Sequence, residues 1–165
     1  MTKYKIGFIA IILLLQLNCK KNKNAINANN DFFPPVLVDF TINMDLPSAS
    51  DLKFANGHFI QPGTGYKQRG VIVYNTGFQG PDQYVAFDRT CPYLPDSVCS
   101  YVSMDTSSTL FFRCGQYNGT KYTGCCNSKF MAQNGAQVQG KATRGLRQYY
   151  VGNFGSQLRV TNTPQ

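Results

Sequence analysis

The sequence has no tryptophan, no glutamate and only one histidine, His58, among its 165 residues. A two-cysteine, two-histidine zinc finger and a three-histidine catalytic zinc site each need more histidines than this chain supplies. All eight acidic residues are aspartates. With no glutamate, no nucleophile placed to pair with His58 and no glycine-rich phosphate loop, the sequence gives no indication of an independent enzyme.

The composition favours strands and turns. Strong helix formers are scarce, whereas Gly, Asn, Thr and Val are plentiful and there are 12 Phe and 10 Tyr. β-branched and aromatic residues are enriched in strands, and Gly and Asn in turns. A length of 165 residues suits one domain, and 42% hydrophobic residues indicate a folded chain. We therefore expect a single all-β domain.

The net charge of +8 is concentrated at the N-terminus. Five of the sixteen basic residues lie before residue 24, which leaves eleven basic against eight acidic residues for the rest of the chain. Proteins that bind nucleic acid usually carry a clustered basic surface, and the remaining basic residues here are dispersed. The sequence therefore predicts no nucleic-acid partner.

The first 19 residues have the pattern of an export signal. A basic start, Met1–Lys5, precedes an apolar run, Ile6–Leu17, that is too short for a confident membrane span. The run ends in Asn18-Cys19 and resembles a bacterial lipoprotein signal, which implies that Cys19 carries lipid and anchors an exported protein to an envelope membrane. An ordinary cleaved signal peptide and an uncleaved anchor are the alternatives. The predicted organisation is a signal at 1–18, a flexible tether at 19–33 and the β domain at 34–165.

Short β-branched and aromatic runs separated by turn residues predict the strands of this domain. A hairpin is expected across the loop 75–80, and a second across Gly152 to Gly155. No segment has a long 3.6-residue apolar period, so little helix is expected. The spacing of the strands is typical of an all-β sandwich or barrel. The predicted strands are Val36–Ile42, Leu52–Ile60, Gly70–Tyr74, Tyr84–Phe87, Leu110–Phe112, Leu146–Val151 and Gln157–Val160.

Five cysteines lie within the domain, at Cys91, Cys99, Cys114, Cys125 and Cys126. An exported domain usually holds its cysteines as disulfides, yet five is odd, so at least one is left over. The spacing gives no zinc signature, because no Cys-x-x-Cys pair is present. The residues alone do not decide the connectivity.

From Phe87 onward, three segments resemble a Rieske iron–sulfur domain. Phe87–Tyr93 is similar to the first cluster loop of that family, and Cys125–Phe130 is similar to the second. The tail is the most specific part and follows the family pattern without a gap at Phe130, Gly135, Gly140, Ala142, Leu146 and Tyr149. The resemblance covers about Gly70 to Asn162. It implies an antiparallel β sandwich or barrel with a loop-rich subdomain of the cluster-binding type.

The resemblance also places the family's cluster ligands on this chain. A Rieske [2Fe–2S] cluster is held by two cysteines and two histidines. The matching positions are Cys91 and Tyr93 in the first loop and Thr123 and Cys126 around the second. With no histidine at either position, the usual cluster is not expected. A rival alignment places Cys114 and Tyr117 at the second-loop positions.

Several members of the family carry a disulfide between the two cluster loops. The matching residues here are Cys99 and Cys125, so the resemblance implies a Cys99–Cys125 bridge. If the loops pack as in the family, Cys91 and Cys126 come close enough to form a second bridge. Cys114 is then the odd cysteine, buried or free.

Two functions remain open on these observations. The first is a cluster-free Rieske-like lipoprotein that binds an unidentified protein partner or supports the cell envelope, with no cofactor. The alternative is an electron-transfer protein whose [2Fe–2S] cluster is held by Cys91, Cys126 and two others among Cys99, Cys114 and Cys125. Ligation of such a cluster by four cysteines is ordinary chemistry.

Overall fold

The computed structural model describes residues 33–164, and within them the fold is all-β, as predicted. Strands make up 38% and helical residues 10% of the structure. No helix of these residues is long and apolar enough to cross a bilayer. The strands are β1 (Asp39–Asn43), β2 (His58–Gln61), β3 (Val71–Asn75), β4 (Tyr84–Asp88), β5 (Val102–Met104), β6 (Phe111–Cys114), β7 (Gln116–Tyr117), β8 (Tyr122–Thr123), β9 (Lys129–Met131), β10 (Gln137–Gln139), β11 (Gln148–Phe154) and β12 (Gln157–Thr161).

Six strands form a curled antiparallel sheet in the order β1-β12-β11-β4-β3-β2. Four more form a second sheet in the order β10-β9-β6-β5, and β7 pairs with β8 as a small separate ribbon. The β3–β4 hairpin lies inside the large sheet, and every residue of both strands is buried. Such burial on both faces is typical of a central strand pair with a core on either side.

The alternation of side chains along β3 divides the interior into two hydrophobic cores. Val71 and Val73 face the core shared with Leu158 and Val160 of β12. Ile72 and Tyr74 face the other core, which contains Phe87 of β4 together with Phe112 and Phe130 of the second sheet. Three of the cysteines belong to this second core, so it forms the interior around the candidate site.

Several predicted strand boundaries are corrected by the structure. The loop expected across Gly152 to Gly155 is shorter, because β11 continues to Phe154 and pairs with β12 as far as Gln157. Residues 47–53 form a 3-10 helix, and the strand expected over Leu52–Ile60 begins only at His58. Pro47 occupies the first turn of that helix, where its fixed φ is favourable, and Asn56 has a φ of 66° in the turn that precedes the strand. The first strand starts at Asp39 rather than Val36, after the consecutive prolines at 34 and 35.

Two glycines of the segment 130–149 lie closer to their neighbours than a residue with a Cβ could. Gly135 has a φ of 69°, and an added Cβ would lie 2.6 Å from Phe87 Cε1. Gly140 has a φ of 96°, and its Cβ would lie 2.4 Å from Ser128 Cα. Glycine accepts this backbone conformation without steric cost, and without a Cβ it allows the close approach. These positions hold the tail against β4 and against the segment that follows Cys126.

Candidate functional site

Three buried thiols, Cys91, Cys114 and Cys126, meet in the second core. Their Sγ atoms all lie within 4.8 Å of one another, and those of Cys91 and Cys126 are 3.6 Å apart. Cys91 comes shortly after β4, Cys114 ends β6, and Cys126 precedes β9. Cys91 and Cys114 are fully buried, and Cys126 is 8% exposed. We call these three side chains the thiol cluster.

The other two cysteines of the domain, Cys99 and Cys125, form a disulfide with an S–S distance of 2.02 Å. This is the bridge that the resemblance implied. It joins the loop after β4 to the segment before β9, where the Cys125 N–H also donates to the Cys99 carbonyl at 3.3 Å. The bridge therefore holds together the two chain segments that carry Cys91 and Cys126. The second bridge expected between Cys91 and Cys126 is not formed: their sulfurs are 3.6 Å apart, and both are free thiols. Cys114 is the third free thiol and lies beside them.

A buried arginine and a buried serine shape the first loop. The Arg69 guanidinium donates to the carbonyls of Pro95 and Ser97, both at 2.6 Å, and of Ser100 at 3.1 Å. The Ser100 hydroxyl lies within donor distance of the Cys91 carbonyl at 2.9 Å and of the Tyr93 carbonyl at 3.0 Å. The carbonyls of this irregular loop have no partners in a sheet. The bonds from Arg69 and Ser100 satisfy these carbonyls and thereby fix the conformation of the loop.

A buried carboxylate anchors the start of the same loop. Asp88 accepts from the Thr90 N–H at 2.8 Å, the Tyr66 N–H at 2.7 Å and the Tyr149 hydroxyl at 2.8 Å. Burial and the neighbouring Asp88 carboxylate raise the pKa of Tyr149, so the hydroxyl stays protonated and donates. Tyr149, the last residue of the tail pattern, thus has a defined task in holding the loop of Cys91.

Ser128 performs the matching role for the second loop. Its buried hydroxyl accepts from the Ala142 N–H at 2.8 Å and from the Cys126 thiol at 3.1 Å. Its carbonyl accepts from the Cys114 N–H at 2.8 Å. One residue therefore connects the tail, the second loop and the end of β6, and it does so directly beside two of the three sulfurs.

Backbone N–H groups beside the thiol cluster favour the thiolate form of each sulfur. They belong to Tyr93 for Cys91, to Ser128 for Cys126, and to Cys125 and Cys126 for Cys114. Hydrogen bonding to sulfur lowers the pKa of a thiol. In Cys114 the lowering effects prevail, whereas in Cys91 and Cys126 burial and the neighbouring thiols outweigh them.

The three thiols share their protons unequally. Hydrogen bonding from the Cys91 thiol, helped by the Cys126 thiol and the two backbone donors, lowers the pKa of Cys114 to about 6. The hydrogen bond with Cys114 and burial raise the pKa of Cys91, and burial raises that of Cys126. Cys114 is therefore the most acidic thiol of the cluster.

This sharing predicts a pH-dependent stability of the metal-free protein. Between about pH 6 and 8 the unfolded chain keeps Cys114 protonated and the folded chain favours its thiolate, so the free energy of unfolding should rise with pH by about 1 kcal/mol or more. Urea denaturation across this range measures it. In Cys114→Ser this rise should disappear, and an equal rise in that variant would refute the assignment.

The other positions that matched family ligands do not belong to the thiol cluster. Thr123 is exposed on β8, where its hydroxyl donates to the Gln116 carbonyl at 3.2 Å. Tyr93 is half-buried and packs against the core that contains the cluster. Tyr117, of the rival alignment, is exposed on β7, and His58 is half-buried on β2, opposite Tyr74 of β3.

The donor set does not suit a two-iron cluster. With Cys99 and Cys125 in a disulfide, residues 33–164 supply three thiols, whereas a [2Fe–2S] cluster takes four ligands divided between two irons. Ligands on different irons are separated by both metals and the bridging sulfides, while these three sulfurs lie within 4.8 Å. Such a separation corresponds to ligands on one ion, since metal–sulfur bonds of about 2.3 Å place tetrahedral sulfurs about 3.8 Å apart.

A scan against protein-family models found no match for this chain, and searches of curated proteins and of solved structures found none either. Cys19, the predicted lipid attachment site, lies outside the described residues.

Proposed function

We propose that this chain is a membrane-anchored, Rieske-like module of the bacterial cell envelope that has lost the histidine-ligated cluster. On this proposal it acts by binding, or by supporting an envelope assembly, and carries out no reaction of its own. Lipid on Cys19 holds it at the membrane, and the tether predicted over 19–33 links this anchor to the domain. The domain presents its loops to a protein partner.

The Rieske-like part of the proposal is supported by how the two loops are held. Cys91 lies in the first loop and Cys126 in the second, with their sulfurs in contact, and the Cys99–Cys125 disulfide joins the two loops. The tail residues that carry the sequence resemblance have physical tasks at these loops. Gly140 packs against Ser128, and Tyr149 donates to Asp88.

The number of cysteines left free to bind iron is the observation that supports the loss of the cluster. Two of the five cysteines of the domain are committed to the disulfide, and the exposed hydroxyl of Thr123 stands at the position of the family's second cysteine. A tyrosine hydroxyl at Tyr93 replaces one histidine. Too few soft donors are left for two irons.

The rival function, electron transfer through a cysteine-ligated [2Fe–2S] cluster, makes the opposite prediction for iron. The full chain should be purified from the envelope and, separately, from anaerobic cytoplasm. We expect less than about 0.1 iron per chain, no acid-labile sulfide and no visible charge-transfer bands in either preparation. Two irons per chain with an equal amount of sulfide would overturn the proposal.

Membrane attachment is tested independently of metal. The wild-type chain should enter the detergent phase on Triton X-114 partitioning, and Cys19→Ser should remain in the aqueous phase or keep an uncleaved leader. Mass spectrometry of the N-terminal peptide reads out the acyl chains directly. A wild-type chain that lacks acyl groups on Cys19 would refute the anchor.

A further inference from the structure

We propose that Cys91, Cys114 and Cys126 bind one thiophilic metal ion, Cu(I), through three thiolates. This deepens the proposed function by naming a ligand for the module, and it rests on that function only in taking the two-iron cluster as absent. Such a site would be mononuclear, buried and built from residues of three separate segments of the chain.

The geometry of the sulfurs carries the proposal. The Cys91 and Cys126 Sγ atoms are 3.6 Å apart, and all three lie within 4.8 Å. Three sulfurs at the corners of a trigonal site with bonds of about 2.3 Å are about 4.0 Å apart. The thiol cluster therefore accepts one ion with small side-chain adjustments, and the backbone that positions it need not move.

The surroundings of the sulfurs are those of metal-bound thiolates. Ser128 Oγ lies 3.1 Å from the Cys126 sulfur, and nearby backbone N–H groups favour the thiolate form of all three cysteines. Groups that hydrogen-bond to metal ligands orient them and tune the bound metal.

The number of donors favours Cu(I) over zinc. Structural zinc sites are almost always four-coordinate. Among residues 33–164 the remaining cysteines are in the disulfide, and the neighbouring Ser128 hydroxyl is not of the Cys, His or carboxylate type that binds zinc. Soft thiolates select Cu(I), which is stable with three of them. Burial of the sulfurs also shields the bound ion from water, with the slightly exposed Cys126 as the side of entry.

The test titrates Cu(I), supplied anaerobically as its acetonitrile complex, into the full chain carrying Cys19→Ser, with bathocuproine disulfonate as competitor. We expect one Cu(I) per chain to remain after desalting, and X-ray absorption to show three sulfur neighbours at about 2.3 Å. A parallel titration with zinc distinguishes the metals. Tighter retention of zinc than of Cu(I), or no retained ion, would overturn the proposal.

Variants identify the ligands. Cys114→Ser and Cys91→Ser should each weaken Cu(I) binding by more than the about 10–100-fold that follows loss of a group hydrogen-bonded to a ligand. Met44→Leu is the matched control, because Met44 is a buried sulfur residue in the other core. It should bind as the parent chain does. Equal binding by the control and both cysteine variants would show that the ion lies elsewhere.

The wild-type measurement stands even if a cysteine variant fails to fold. A Cys91–Cys126 disulfide, detected in the chain purified anaerobically, would also overturn the metal site by removing two ligands. A chain that retains neither Cu(I) nor iron refutes only this inference. Two irons per chain would refute the proposed function as well, so the two failures are distinguishable.

Discussion

Gly140→Ala should lower the free energy of unfolding by about 3–5 kcal/mol. The added Cβ would lie 2.4 Å from Ser128 Cα and 2.6 Å from Ser128 N, so backbone must move to relieve the contact. The φ of 96° adds conformational strain for any residue with a Cβ. Because Ser128 accepts from the Cys126 thiol, the displacement should also disturb the thiol cluster.

Gly155→Ala separates strain from steric conflict. Gly155 has a φ of 77°, similar in kind to that of Gly140, but a Cβ there meets no atom within 4 Å. It should cost only about 1–2 kcal/mol, the strain alone. Urea denaturation of both variants measures the difference. Equal losses would mean that the tail does not pack against Ser128 as described.

Removing the disulfide with Cys99→Ser and Cys125→Ser together should cost about 3.5 kcal/mol, the loop-closure value for a sequence separation of 26. The bridge restrains the unfolded chain, and in the folded chain it holds the two loops of the thiol cluster together. A looser cluster should follow, seen as faster alkylation of Cys91 and Cys126 by a maleimide.

Reductant provides the control for this prediction. Adding it should destabilise the wild-type chain by a similar amount and leave the double variant unchanged. If reductant destabilised the double variant equally, the effect would come from elsewhere in the chain. An unchanged wild type under full reduction would show that the bridge contributes nothing.

The hairpins of the large sheet were predictable because their residues carry strong local signals. Val71 to Tyr74 is a β-branched and aromatic run, and the turn residues at 75–80 separate it from β4. The two- and three-residue strands β5 and β7 to β10 were not predicted, since an alternation of two cannot be seen over so few residues. Their pairing depends on contacts distant in sequence.

The candidate site was predictable only in part. The resemblance implied the Cys99–Cys125 bridge and the proximity of Cys91 and Cys126. Cys114 was expected as the odd cysteine, buried or free, and the structure shows it to be both. Only the rival alignment placed it at a second-loop position, because no local spacing connects the end of β6 with the two loops. Only the pairing of β6 in the second sheet brings the Cys114 sulfur to the other two. Once Cys99 and Cys125 are assigned to the bridge, Cys91, Cys114 and Cys126 are the cysteines that remain for a common site. The sequence spacing from Ser128 aligns Thr123 with the family's second cysteine, whereas the structure places Thr123 at the surface on the β7–β8 ribbon.

Native mass spectrometry of the anaerobically purified full chain, with Cys19→Ser, tests the central claim most directly. It reports the bound metal and the number of disulfides in one spectrum. After exposure to Cu(I), we expect a chain with one disulfide and one copper ion, and with neither iron nor sulfide. A mass that includes two irons and two sulfides, or a chain with two disulfides and no ion, would contradict the account.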